Sequence, residues 1–255
     1  MLNESAATAS RTAHAALGAV RVQGADAVRF LQGQLSNDIE QLQPDAPLYA
    51  GLHNPQGRVI ALLRLYRLAP DDVLAVLPRE LAPAVAARLA KFVLRAKAKV
   101  TDASDDSVFT SSSAFAQPSA AERIAAGVPQ VYAATSEQFV AQMLNLDVIG
   151  AISFTKGCYT GQEVIARAHY RGRVKRRMQR FRTVGAELAI GQSGTLRDGR
   201  SFRVVEAVTT GDGHCEFLAV APLAHGSEEP GEDAGTSSAT AIDAEPLALP
   251  YELPA

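Results

Sequence analysis

One stretch constrains this chain more than any other: Lys156-Gly157-Cys158-Tyr159-Thr160-Gly161-Gln162-Glu163, running on through Val164-Ile165-Ala166-Arg167. It sets one of the chain's two cysteines between two glycines. Thr160 and Glu163 have the T-x-x-E spacing of a capping box, which predicts a helix with Thr160 as N-cap. Val164, Ile165 and Ala168 give that helix one apolar face, and Gly172 marks its end. Cys158 is thereby placed just outside a helix N-terminus, where free amides and the positive end of the dipole gather, with Lys156 two residues away. That setting activates a thiol and makes Cys158 the candidate catalytic residue. The competing reading is a turn feeding a core helix, with Cys158 as small filler.

The chain around this stretch is long and apolar enough, at 255 residues and 47% hydrophobic, for one large domain or two small ones. A net charge of −2 gives no global field that points to nucleic acid or a membrane. Two cysteines in no metal-like spacing predict neither a disulfide framework nor a metal site, and suit a reducing cytoplasm. No run of 18 apolar residues exists, so no transmembrane helix and no membrane partner are expected. The first 14 residues are polar and lack the apolar core of a signal peptide.

Strands are predicted at Leu17 to Val22, Leu48 to His53, Arg58 to Leu68, Asp72 to Leu77 and Ala98 to Thr101. The second and third are joined by the turn Asn54-Pro55-Gln56-Gly57. Helices are predicted after Asp26, as a possible N-cap, and over Glu80 to Val93. Ser36-Asn37-Asp38 reads on its own as a solvated helix exit. Thr101 to Ala121 is rich in Ser, Ala and Asp and reads as a linker. Met178 to Pro222 shows short β segments between glycine turns, as in a small barrel or sandwich, with Cys215 as inert core. His225 to Ala241 is acidic and Gly/Ser-rich, and is expected to be disordered.

The string K-G-C-Y-T-G-Q-E, followed by an arginine and a basic run, resembles the signature of the YgfZ-type folate-binding proteins, relatives of the glycine-cleavage T-protein (aminomethyltransferase). Gly24-Ala25-Asp26-Ala27 through Phe30-Leu31-Gln32-Gly33-Gln34-Leu35-Ser36-Asn37-Asp38 resembles the opening of the same family. Arg123-Ile124 with Gly127 and Pro129, Gln142 to Asp147, and the closing Leu249-Pro250-Tyr251 are also family-like.

The resemblance implies an α+β fold with T-protein-like folate-binding lobes, a C-terminal small β-barrel and a shortened central lobe. The expected division is 1–101 and 122–176 as two parts of the folate lobe, 102–121 as the linker, and 177–255 as the barrel with its disordered loop at 226–241. The implied function is binding of tetrahydrofolate, or a one-carbon derivative, in support of iron–sulfur cluster assembly or repair, including that of tRNA-modifying enzymes. Lys156, Gln162, Glu163, Arg167, Arg123, Asn37 and Asp38 are the candidate cofactor-binding residues, and iron–sulfur carrier or client proteins the implied partners.

Two alternatives stand beside this. An aminomethyltransferase would need the carboxylates of a Gly-Gly-x-x-Asp-Asp type segment, and the matching stretch here is Gly57-Arg58-Val59-Ile60-Ala61-Leu62. An RNA-binding module would use the run Arg167 to Arg182, in which eight of sixteen residues are Arg or Lys. Only Tyr170 and Phe181 are aromatic there, which gives little stacking surface. Ligation of a cluster by this chain alone is not expected, because clusters usually take four thiolates.

Overall fold

The computed structural model of the protein describes residues 16–172, 174–223 and 241–254. The chain forms two compact units and passes between them several times. The first takes Met1–Gln117, Val131–Gln138 and Gly150–Ala166; the second takes Pro118–Gln130, Phe139–Ile149 and Arg167–Ala255. The expected division at 101, 121 and 176 differs from this, because no change of composition marks the short segments that return to the first unit.

In the first unit, β1 (Leu17–Gln23), β2 (Leu48–His53), β3 (Val59–Ala69), β4 (Asp72–Pro78) and β5 (Lys99–Asp102) make an antiparallel sheet in the order β2-β3-β4-β1-β5. β4 reads D-V-L-A-V-L-P and is buried along its whole length, which suits the central position it occupies. α1 (Ala27–Gln32) follows β1. Asp26 stands at its N-cap position without capping it; the carboxylate instead accepts from the Lys97 amide at 2.7 Å. α2 (Ala82–Ala90) turns Ala82, Val85, Ala86 and Leu89 inward at helical spacing and is shorter than expected at both ends, its start being a 3-10 turn at Arg79–Leu81.

The stretch expected to be a linker is packed structure. α3 (Ser107–Thr110) is capped by Asp106, which accepts from the Val108 amide at 2.9 Å, and a 3-10 turn at Ser113–Phe115 is capped by Ser112. The serines and aspartates that suggested a linker are therefore partly caps. Phe109 and Phe115 are buried against Leu17, Ala19, Leu74 and Val76 of the sheet. Burying each phenylalanine contributes roughly 2–3 kcal/mol, enough to hold a short segment in place.

In the second unit, α4 (Ala120–Ala126) precedes β6 (Arg176–Val184), β7 (Ser193–Thr195), β8 (Ser201–Thr209), β9 (His214–Pro222) and β10 (Ala244–Leu247), which pair antiparallel in the order β10-β6-β9-β8-β7. The expected barrel is, among the described residues, a five-stranded sheet without a closed ladder; one isolated bridge, Leu196 to Ile242, links the ends of its edge strands. Phe181, Phe202 and Phe217 form its core, with ring centroids 5.4 and 5.8 Å from the Phe217 ring. Gly194 is required there, since a Cβ would lie 2.5 Å from the Phe202 ring. The loop expected to be disordered, 226–241, lies outside the described residues except for Ala241. Among the described residues, no helix is long and apolar enough to cross a membrane.

Candidate functional site

The two family-like motifs, about 120 residues apart, meet in the first unit. The Lys156 ammonium donates to three backbone carbonyls: Gln32 O at 2.5 Å, Leu35 O at 2.6 Å and Asn37 O at 2.9 Å. All three of its protons are thereby used. Burial pushes Lys156 down to about 8, with Asp38 and Glu40 acting in the opposite direction. Its Nζ also lies 5.2 Å from the centre of the Tyr159 ring.

The loop that Lys156 grips is not the solvated turn its sequence suggested. Ser36 is wholly buried, donates to Ala151 O at 2.8 Å and accepts from the Gly51 amide at 2.8 Å. Asn37 donates to Tyr49 O at 2.7 Å and to Gly150 O at 2.8 Å, while its Oδ1 accepts from the Asp38 amide. Asp38 caps the 3-10 turn Ile39–Gln41 and accepts from the Gln32 side chain at 2.9 Å. Short polar groups that look like surface decoration in the sequence here tie α1, β2 and the 150–156 segment together.

The helix after the cysteine, α5 (Gln162–Arg171), starts two residues later than Thr160. The position before it is Gly161 at φ +83°, where a Cβ would lie 2.6 Å from Asn54 O. The β2–β3 turn thus packs on the helix start, and only glycine fits between them. The expected Thr160–Glu163 box is replaced one position earlier: Gln162 Oε1 accepts from the Tyr159 amide at 3.3 Å, and Glu163 is exposed. A full capping box does form in the second unit, at Ser119 and Glu122, where the sequence reading did not look for one.

The eight candidate residues fall into three groups. Lys156, Asn37 and Asp38 build the junction described above, and Gln162 accepts from the Tyr159 amide at the start of α5. Arg123, expected to reach an anionic ligand, is instead paired with the buried Glu206 and donates to Pro118 O within the second unit. Cys158, Glu163 and Arg167 are exposed. Cys215 is 2% exposed in β9, and burial pushes its thiol up.

The basic run is also divided. Arg177 forms a buried ion pair with Asp147 at 2.9 Å, Arg180 and Arg182 share Glu216, and Arg176 donates to Ser201. The strand half of the run is thus committed to the second unit's own carboxylates and hydroxyls, which leaves Arg167, Arg171 and Lys175 exposed among the described residues.

His53, at the end of β2, escaped the sequence reading because a single histidine carries no pattern. Its ring is wholly buried, 6.2 Å from the Tyr159 ring centre and pressed against Gly51. Burial pulls it down to about 3, so it is neutral at physiological pH. Neither ring nitrogen has a hydrogen-bond partner among the described residues, and the same holds for Tyr66 Oη and Arg64 Nε on β3. Groups of His/Cys/Asp/Glu that could hold a metal ion do not occur among the described residues.

No protein-family model matches the chain. A tRNA-modifying protein YgfZ from Shigella dysenteriae is 30% identical over 257 residues, which cover 75% of this chain and 79% of that protein. An iron–sulfur cluster assembly factor IBA57 homolog, mitochondrial, from Mycosarcoma maydis is 32% identical over 218 residues, 63% of this chain and 54% of that protein. Among solved structures, the glycine cleavage system aminomethyltransferase T from Bartonella henselae has the same fold, with a TM-score of 0.62 over 82% of this chain and 76% of that one, at 14% identity.

Proposed function

The chain belongs to the YgfZ family, and from that premise we propose that it is a tetrahydrofolate-binding accessory protein supporting iron–sulfur cluster assembly or repair, including that of tRNA-modifying enzymes. The observation that carries this reading is the junction at Lys156. It spends Lys156, Ser36, Asn37 and Asp38 on architecture and leaves Cys158 as an exposed nucleophile of the motif. A thiol held on a fixed loop suits one ligand position in a cluster shared with a carrier or client protein, since a lone thiolate does not complete a cluster.

The residues present fit a reduced folate in two respects. His53 holds two buried ring nitrogens without partners, and a neutral imidazole can both donate to and accept from a pterin. Arg167 is an exposed cation of the motif helix, suited to a glutamate carboxylate. Folate bound in this way would supply a one-carbon carrier, with this chain's part being to bind and orient it.

The aminomethyltransferase reading lacks a proton-handling group. Ala61 and Leu62, which stand where that enzyme's carboxylates would, are buried apolar residues of β3. The RNA reading loses the strand half of its basic run to internal ion pairs.

Calorimetric titration with tetrahydrofolate tests the proposal. Binding is expected, and Arg167→Ala should weaken it about tenfold, because a charged hydrogen bond contributes roughly 1.5–3 kcal/mol. Absence of both heat and thermal shift with every reduced folate tried would overturn it.

A further inference from the structure

The loop between α2 and β5 differs from the rest of the described surface. From Leu81 to Thr101 the chain carries Arg88, Lys91, Arg95, Lys97 and Lys99 and no carboxylate. Three of the chain's five lysines fall within it, in a chain that otherwise prefers arginine. Lys91, Arg95, Lys97 and Lys99 are all exposed, and their side chains have no hydrogen bond or ion pair among the described residues. Between them, Leu94 is 86% and Phe92 47% exposed, Leu94 being the most exposed large hydrophobic side chain among the described residues.

β5 is an edge of its sheet, and lysine beside an edge strand discourages pairing with another chain. That accounts for Lys97 and Lys99. It does not account for a leucine and a phenylalanine two residues apart and turned to water, each of which gains from being covered. We propose that this loop docks on an anionic lipid surface. Leu94 and Phe92 enter the interfacial layer, and the four cations lie among the headgroups.

Two other occupants fit less well. Protein interfaces are depleted in lysine and use arginine, whose planar fork matches a carboxylate; here lysine outnumbers arginine three to one among the exposed cations. A nucleic acid would be met by stacking faces, and Leu94 has none. Hydrated, flexible ammonium groups around two apolar tips suit a fluid surface of diffuse charge.

The test is co-sedimentation of the full chain with phosphatidylcholine vesicles containing about one third phosphatidylserine, against phosphatidylcholine alone. Binding to the anionic vesicles only is expected, and it should weaken as salt is raised. Leu94→Ser, which leaves the charge unchanged, should reduce it about fivefold or more, and Lys91→Glu with Arg95→Glu should remove it. These side chains are exposed, so the variants should melt with the wild type, and a thermal scan checks this. No binding to anionic vesicles would overturn the proposal, as would binding indifferent to Leu94→Ser. If the charge reversals instead weaken binding to a tRNA transcript while vesicles are ignored, the loop is a nucleic-acid surface and the lipid assignment is wrong.

Discussion

Each unit is pinned by a buried asparagine and a cation, and the two cations are answered in different ways. In the first unit, Asn37 ties Tyr49 to Gly150, and Lys156 is held by three neutral carbonyls. In the second, Asn145 donates to Met178 O and the Tyr251 hydroxyl, and Arg177 meets the Asp147 carboxylate through both terminal nitrogens. Arg177 is neutralised by its partner. Lys156 keeps its charge among dipoles, and burial pulls it down to about 8 while Arg177 remains a locked ion pair. The second junction can be exchanged as a pair for apolar side chains. The first cannot, because backbone carbonyls cannot be mutated away.

The largest effect should come from removing those cations. Lys156→Met strands three part-buried carbonyls, and a cost of about 3 kcal/mol or more is expected in chemical denaturation. Lys156→Arg should not rescue it, since a planar fork cannot aim at three convergent acceptors. Arg177→Met should cost about 3–5 kcal/mol by leaving Asp147 buried and unpaired, and adding Asp147→Leu should recover most of that loss. A second-site recovery for Lys156→Met, or none for Arg177→Met, would break the contrast.

Acid should act on the first unit through His53. Its folded value, about 3, lies below the unfolded one of about 6.5, so the unfolded chain binds more protons between those values. Stability is therefore expected to fall as pH drops below about 6.5, with this group contributing up to about 1.4 kcal/mol per pH unit. His53→Leu should flatten that acid limb. An unchanged slope in the variant would show that the ring is not buried neutral.

The smallest predicted effect separates the two helix starts. Ser119→Ala removes a formed capping box and should cost about 1 kcal/mol, whereas Thr160→Ala should cost under about 0.5 kcal/mol. Equal costs would return Thr160 to the capping role its spacing suggests.

Much of the first unit was legible, because alternating and continuous apolar runs such as Val73 to Leu77 report burial directly. The family motifs marked the junction, but not what their residues do. Ser36 and Asn37 look like surface groups until β2 and the 150–156 segment close over them, and a lysine beside a cysteine looks like its activator until three carbonyls take its protons. Arg123 and the strand half of the basic run looked available because their carboxylates, Glu206, Asp147 and Glu216, are distant in sequence. The linker at Thr101 to Ala121 failed for a local reason: capping residues have the composition of a loop. His53 left no trace, since burial without a partner is a property of the fold alone.

The central claim is that the motif's architecture presents Cys158, and that Cys158 does the chemistry. It is tested most directly by assaying an iron–sulfur-dependent tRNA-modifying enzyme in cells that lack this protein and carry its Cys158→Ser variant. The thiol is exposed and the substitution nearly isosteric, so the variant should fold with an unchanged melting temperature. The account predicts a stable, folded variant that fails to restore the enzyme. Full restoration by Cys158→Ser would contradict it and reduce the cysteine motif to a structural turn.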